Sequence, residues 1–307
     1  PAYSPIFSGV IGFLLNALVV VLLWIRKIRT GWSTYRIGMT FSAIHGLLIC
    51  LNGISSCLVH LFNHQNYIII IYGPIAHLPR ILSDISVFLN LVLIIGVWEF
   101  IPASCILQYL ALCKPYLSDI KRIVLSYALS VVLLLFSMPH YTTFFDPLSN
   151  LALFNNITRG VHEIEDDDVY KVYGATLFPT PPSEKAVINV ALFAVLPPYF
   201  IAYLIFIWCC AKISRMLKSF GVKLSAKTMN MQRNFLKMML MQEFKQECLQ
   251  GLLPLLVLSV PVGIFLYAIL NGIAMEKRTL MITFSVWTVP IVQGAVALVY
   301  VNGMGVS

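Results

Sequence analysis

The chain has 307 residues, 59% hydrophobic and 11% charged, with a formal net charge of +8 and a mean hydropathy of +0.85. About a quarter of a soluble domain's residues are charged, so this composition excludes a fold that meets only water. The apolar residues form long unbroken runs, not the short alternating segments of a membrane barrel, and such runs predict spanning helices.

Taken in chain order, the runs predict seven spans, at residues 6–25, 37–62, 82–112, 123–140, 186–210, 249–270 and 280–301. The second and third are long enough to tilt or to extend past the hydrocarbon. The apolar stretch "YIIIIYGPIAHLP" before the third is punctuated by Gly73, Pro74 and Pro79. It reads as an outer loop or helix end. Pro102, Pro197, Pro198, Pro254, Pro261 and Pro290 interrupt the third, fifth, sixth and seventh spans and predict bends.

Orientation follows from the basic residues. Arg26, Lys27, Arg29 and Arg36 lie in the first connection, and Lys114, Lys121 and Arg122 in the third. The fifth, from Ala211 to Cys248, adds eight more, so three loops hold 15 of the 21 basic residues. These loops are read as cytoplasmic. The expected architecture is an all-α membrane protein, a single seven-transmembrane helix bundle with its N-terminus outside and no repeat. The positive charge is then an orientation signal and does not predict a nucleic-acid partner.

The large outer loop, from about Tyr141 to Lys185, holds the acidic run "HEIEDDD" and the sequon "NNIT". Asn156 is therefore a candidate glycosylation site. The acidic run has no metal-ligand spacing and reads as a solvated loop. All seven cysteines are placed in spans or at the cytoplasmic edge, so no disulfide joins this loop to the outer end of the third span. Cys113, Cys209 and Cys210 are candidates for palmitate or for plain apolar packing.

Ionisable groups inside spans are costly and mark candidate sites. Two occur, Asp84 and Glu99, both in the third span. Asp84 lies four residues after Arg80, a spacing that also permits a helical ion pair. Asn16, Asn52, Asn90, Asn189 and Gln293 are expected to bond between helices. The candidate ligand-binding residues are Asp84, Phe88, Glu99, Asn189, Tyr267 and Trp287, among the outer halves of the kinked spans. HExxH, P-loop, Gly-x-Ser-x-Gly and Cys-x-x-Cys motifs are absent from the sequence. The last span lacks the lysine that a retinal pump requires. We therefore expect neither an enzyme, nor a metal site, nor a bound cofactor.

From Lys212 to Lys237 the fifth loop carries seven basic residues and no acid, interleaved with Met216, Leu217, Phe220, Phe235, Leu236 and Met238. This is a face for anionic lipid, for a cytoplasmic partner, or for both.

Four segments together resemble the nematode serpentine chemoreceptors of the Str superfamily. They are "TGWSTYRIGMTFSAIHG", "LQYLALCKP", "SAKTMNMQRNFLKMMLMQ" and "LLPLLVLSVP". The resemblance implies a G-protein-coupled olfactory-type receptor in the plasma membrane of sensory neurons, binding a small external chemical and a heterotrimeric G protein. It assigns the G-protein face to Gln108, Tyr109, Lys114, Lys223, Lys227 and Arg233. Gln108 stands where the family usually has arginine, Gln293 where it usually has aspartate, and "EFKQECLQ" is extra. The alternatives are a seven-span channel or transporter and a divergent member that does not signal.

Overall fold

The computed structural model describes residues 3–25, 33–63, 66–99, 101–114, 116–142, 144, 151–162, 170–176, 194, 196–220, 263–264, 267 and 280–303. Helix α1 covers Tyr3–Ile25 and α2 covers Ser33–Ser56. Strands β1 (Leu58–Asn63) and β2 (Asn66–Ile71) follow, then a 3-10 turn at Pro74–His77. The third expected span is two helices, α3 (Arg80–Glu99) and α4 (Ile101–Cys113). After them come α5 (Asp119–Phe136), the short α6 (Met138–Thr142), α7 (Leu151–His162), β3 (Lys171–Thr176), α8 (Leu196–Phe220) and α9 (Leu280–Gly303).

Stretches long and apolar enough to cross a membrane are Ile6–Ile25, Arg36–Ser56, Arg80–Val97 and Leu196–Ile213, with Thr283–Val299 a shorter one. Their apolar side chains stay exposed along one face, as Leu14, Leu18, Leu48, Leu51, Leu204 and Ile207 do. This is the pattern of helices whose outer solvent is lipid. Inside, α1 packs on α2 and α9, while α4 packs on α5 and α8.

Several element ends differ from those expected. The second helix stops at Ser56, not at residue 62, because Cys57 adopts φ 44 and turns the chain. Its N–H still reaches the Gly53 carbonyl at 2.8 Å, as in a helix C-cap. Cys57 thus sits at the outer junction and not within a span. Residue 100, between α3 and α4, lies outside the described residues, and Pro102 stands in the first turn of α4. Pro197 and Pro198 stand at the start of the described part of α8, and most of the span before them lies outside the described residues. The expected span at 249–270 falls almost wholly outside the described residues.

The apolar stretch read as an outer loop is instead the centre of a sheet. Strand β2 pairs antiparallel with β1 on one side and β3 on the other. Register runs Leu58↔Ile71 to Asn63↔Asn66 and Ile71↔Lys171 to Asn66↔Thr176. Ile68, Ile69, Ile70 and Ile71 are each at most 1% exposed, and full burial of such a side chain contributes about 1.5–3 kcal/mol. Alternation divides them. Ile69 and Ile71 join Leu58, Val87, Leu91, Tyr173 and Trp287 in the bundle core. Ile68 and Ile70 join Val59, Leu61, Val172 and Phe154 of α7. The sheet therefore lies between the outer end of the bundle and a covering helix.

Two close approaches fix the helices beneath it. Asn16 of α1 donates to the Pro290 carbonyl of α9 at 2.9 Å and to the Gly12 carbonyl at 2.8 Å. Gly294 leaves room for this, since a Cβ there would meet Leu15 and Asn16. Gly53 lies against the Trp287 ring so closely that any Cβ would overlap it. Gly53→Ala is expected to lower stability by about 1–3 kcal/mol through overpacking. Thermal unfolding of the detergent-solubilised receptor measures this. Pairing with Trp287→Leu should recover part of the loss, and an unchanged melting temperature in the single variant would contradict the packing.

Candidate functional site

The outer end of α3 begins with Arg80, after Pro79 closes the preceding turn. One helical turn brings Ser83 and Asp84 under β3. Tyr173 donates its hydroxyl to Asp84 Oδ1 at 2.6 Å. Arg80 Nε is 3.9 Å from the same oxygen, and its guanidinium lies 5.8 Å from the Tyr173 ring centre. Lys171 Nζ donates to the Leu78 carbonyl, and to Ser83 Oγ at 3.1 Å. The Arg80–Asp84 pair expected from the spacing is present, with side chains 56% and 38% exposed. At that separation and exposure it is weak. The closer partner of Asp84 is Tyr173. Burial, then the hydrogen bond and charge of Asp84, push the Tyr173 phenol above its usual range.

On the opposite edge of the sheet, α9 satisfies the backbone of β1. Trp287 Nε1 donates to the Leu58 carbonyl at 3.2 Å. Thr283 Oγ1 accepts the His60 N–H at 2.9 Å. A buried edge strand would otherwise leave polar groups unpaired. Between α2 and α3, Asn52 Oδ1 accepts from Ser86 at 2.9 Å and Asn52 Nδ2 donates to the Ser86 carbonyl at 3.2 Å. Asn16 and Asn52 thus make the interhelical bonds expected of them.

Of the proposed ligand residues, Asp84 and Trp287 hold opposite edges of one sheet. Phe88 lies one turn below Asp84, edge-on to Tyr141 with ring centres 5.7 Å apart. Tyr267 is 65% exposed. Glu99 is the last residue of α3, with its side chain outside the described residues, and Asn189 also lies outside them. Residues not foreseen as site members stand between these anchors: His60, Tyr67, Tyr141, Phe144 and Tyr173. For the strands that carry His60 and Tyr67, though not for their pairing, a signal exists in "LVHLFNHQNYIIII", two runs of strand-forming residues around an Asn-containing turn.

His60 is 2% exposed, and its Nδ1 lies 2.8 Å from the Tyr67 hydroxyl. Burial in this outer strand lowers its pKa from 6.5 to about 4.

At the cytoplasmic end, Tyr109 of α4 packs on Trp208 of α8, ring centres 5.3 Å apart. Gln108 Nε2 is buried without a hydrogen-bond partner. Lys114 Nζ sits 5.7 Å from the Tyr116 ring centre. Arg122 folds onto Asp119 at 2.9 Å in the first turn of α5, where the acid also suits the helix dipole. Lys223, Lys227 and Arg233 lie outside the described residues. Asn156 is exposed on α7, and the sequon's Thr158 bonds the Phe154 carbonyl at 2.8 Å. Among the described residues no group of three His, Cys, Asp or Glu side chains could hold a metal.

A helical bundle with four apolar helices long enough to span, a fifth shorter one and polar clasps inside it is that of a multi-pass membrane protein. Residues 2–303 match the family described as the serpentine type 7TM GPCR chemoreceptor Srd, and the chain belongs to that family. The match spans nearly the whole chain and agrees with the serpentine resemblance carried by the four motifs. Its role is that of a chemoreceptor, and the family is not an enzyme family. No curated protein matches the chain.

Two outcomes follow. Tyr173→Phe should cost about 1 kcal/mol, a value reduced from that of a fully buried charged bond by the exposure of Asp84. A double-mutant cycle with Asp84→Asn, read by thermal unfolding, should show positive coupling, and additivity would contradict the contact. The second concerns pH. Unfolded His60 takes up a proton near 6.5, whereas the folded residue stays neutral to about 4. The unfolded state therefore binds more protons in that window, so stability should fall as pH drops from 6.5 toward 4. His60→Phe should flatten that part of the melting-temperature profile.

Proposed function

We propose that this receptor detects a small external chemical at the outer half of the bundle and signals to a heterotrimeric G protein at its cytoplasmic face, in the plasma membrane of sensory neurons. The reading is supported chiefly by the double attachment of the outer sheet. Tyr173 ties it to Asp84 on α3, and Leu58 ties it to Trp287 on α9. A ligand that favours one arrangement of the sheet favours one spacing of these helices, and such differential binding is what shifts a receptor between states. The ligand contacts are assigned to Asp84, Phe88, Glu99, Asn189, Tyr267 and Trp287. The G-protein face is assigned to Gln108, Tyr109 and Lys114, with Lys223, Lys227 and Arg233. Asn156, exposed on the outer side, is the glycan acceptor.

A second reading, a divergent member that binds without coupling, is favoured by one observation. Gln108 presents a buried amide without a partner at the position where the resemblance puts an arginine. A G-protein activation reporter in cultured cells, with surface expression measured in parallel, separates the two. Coupling predicts a response to some member of a broad chemical panel. It also predicts a several-fold lower maximum in Tyr109→Ala and Lys114→Ala, and a higher one in Gln108→Arg. A surface-expressed receptor that stays silent to the whole panel, with Gln108→Arg silent as well, would remove the coupling assignment.

A further inference from the structure

The bundle-facing side of the sheet carries one polar side chain whose bonding capacity is half used. His60 is 2% exposed, and its Nδ1 is paired with Tyr67, but its Nε2 is buried with no hydrogen-bond partner. A buried polar atom left in this state is costly, and native interiors seldom keep one without a use for it.

The surroundings are aromatic and apolar. The Tyr67 ring lies 5.9 Å from that of His60, nearly parallel, and Phe144 stands edge-on to Tyr67 at 4.8 Å. Phe144 is 2% exposed, and Trp287 1%. Thr283 holds the His60 backbone on both sides, accepting its N–H and donating to its carbonyl at 3.4 Å. The ring row continues from Phe144 to His140 at 5.5 Å and so leads toward α6 and α3.

The geometry points to His60 Nε2 as the polar contact of a ligand site beneath the sheet, which takes an uncharged small molecule bearing one carbonyl or hydroxyl oxygen on an apolar frame. This rests on reading the outer half of the bundle as the ligand end. Two arguments set the chemical class. Burial keeps the imidazole neutral at physiological pH, so it offers a hydrogen bond and not a counter-charge. The charged groups of the outer cluster, Arg80, Asp84 and Lys171, lie at the β3 edge, two strands away from β1. Among the described residues, an ionic ligand would find no charged partner beside His60 to offset its lost hydration. Whether Nε2 donates or accepts is set by the tautomer that Tyr67 fixes. A hydroxyl satisfies either, and a carbonyl satisfies the donor form.

The test uses the full chain in lipid nanodiscs without any G protein, so a failure here is separable from a failure of coupling. The probes are hexanone, hexanol, hexanoate and hexylamine. Their binding is followed on the side-chain nitrogen signals of isotope-labelled histidine, with the His60 signal assigned by its loss in His60→Phe. We expect hexanone or hexanol to bind and move the His60 signal, hexanoate and hexylamine to leave it in place, and His60→Phe to weaken binding about tenfold. Tyr67→Phe keeps the ring and the core, so it serves where His60→Phe fails to fold. It should shift the His60 signal and weaken binding to a smaller degree. The proposal is overturned if neither neutral probe binds, if a charged probe binds more tightly, if Tyr67→Phe leaves both signal and affinity unchanged, or if the His60 signal responds to an ordered water only.

Discussion

Everything at the outer end of this receptor depends on one constraint, that a strand lying against a membrane bundle cannot leave its edge unpaired. Water satisfies such groups on a soluble protein, but hydrocarbon and packed side chains do not. Strand β2 solves the problem with a neighbour on each side. Strand β1 then depends on α9, whose Trp287 and Thr283 reach the Leu58 carbonyl and the His60 N–H. The last helix is thereby held in register with the second, because Gly53 of α2 also accommodates the Trp287 ring. Side-chain bonding to backbone thus decides which faces of α2 and α9 meet.

The other edge is held differently. Rhodopsin-like receptors commonly tie the large outer loop to the third span with a disulfide, and the loop between Tyr141 and Lys185 holds no cysteine to make one. Here Tyr173, Lys171, Asp84 and Ser83 make that connection by hydrogen bonds. A bonded cluster of this kind is reversible on the timescale of receptor motion and insensitive to redox state. It also engages Asp84, so a ligand that contacts this residue does so in competition with Tyr173 and Arg80.

The sequence made some of this legible and hid the rest for physical reasons. Hydrophobic runs and basic loops marked most spanning helices, since lipid imposes the same demand on every residue of a span. The end of α2 was not marked, because the left-handed turn is made by Cys57, and no glycine announces it. The sheet was missed for a related reason. "YIIII" is buried on both faces, so its hydrophobicity does not alternate, and a run of that kind looks the same in a strand or a helix. Asp84 and Trp287 were found as costly or bulky residues within spans. Tyr173 and His60 matter only through partners far along the chain, a relation no local pattern carries.

The outer and inner parts of the third span keep different company. The outer rod, α3, belongs with α2 and the sheet, and the inner rod, α4, is packed on α5 and α8. Such an arrangement lets the outer module diversify its chemistry with little consequence for the inner one. In a chemoreceptor family, recognition can then drift while the packing of α4 below stays in tune.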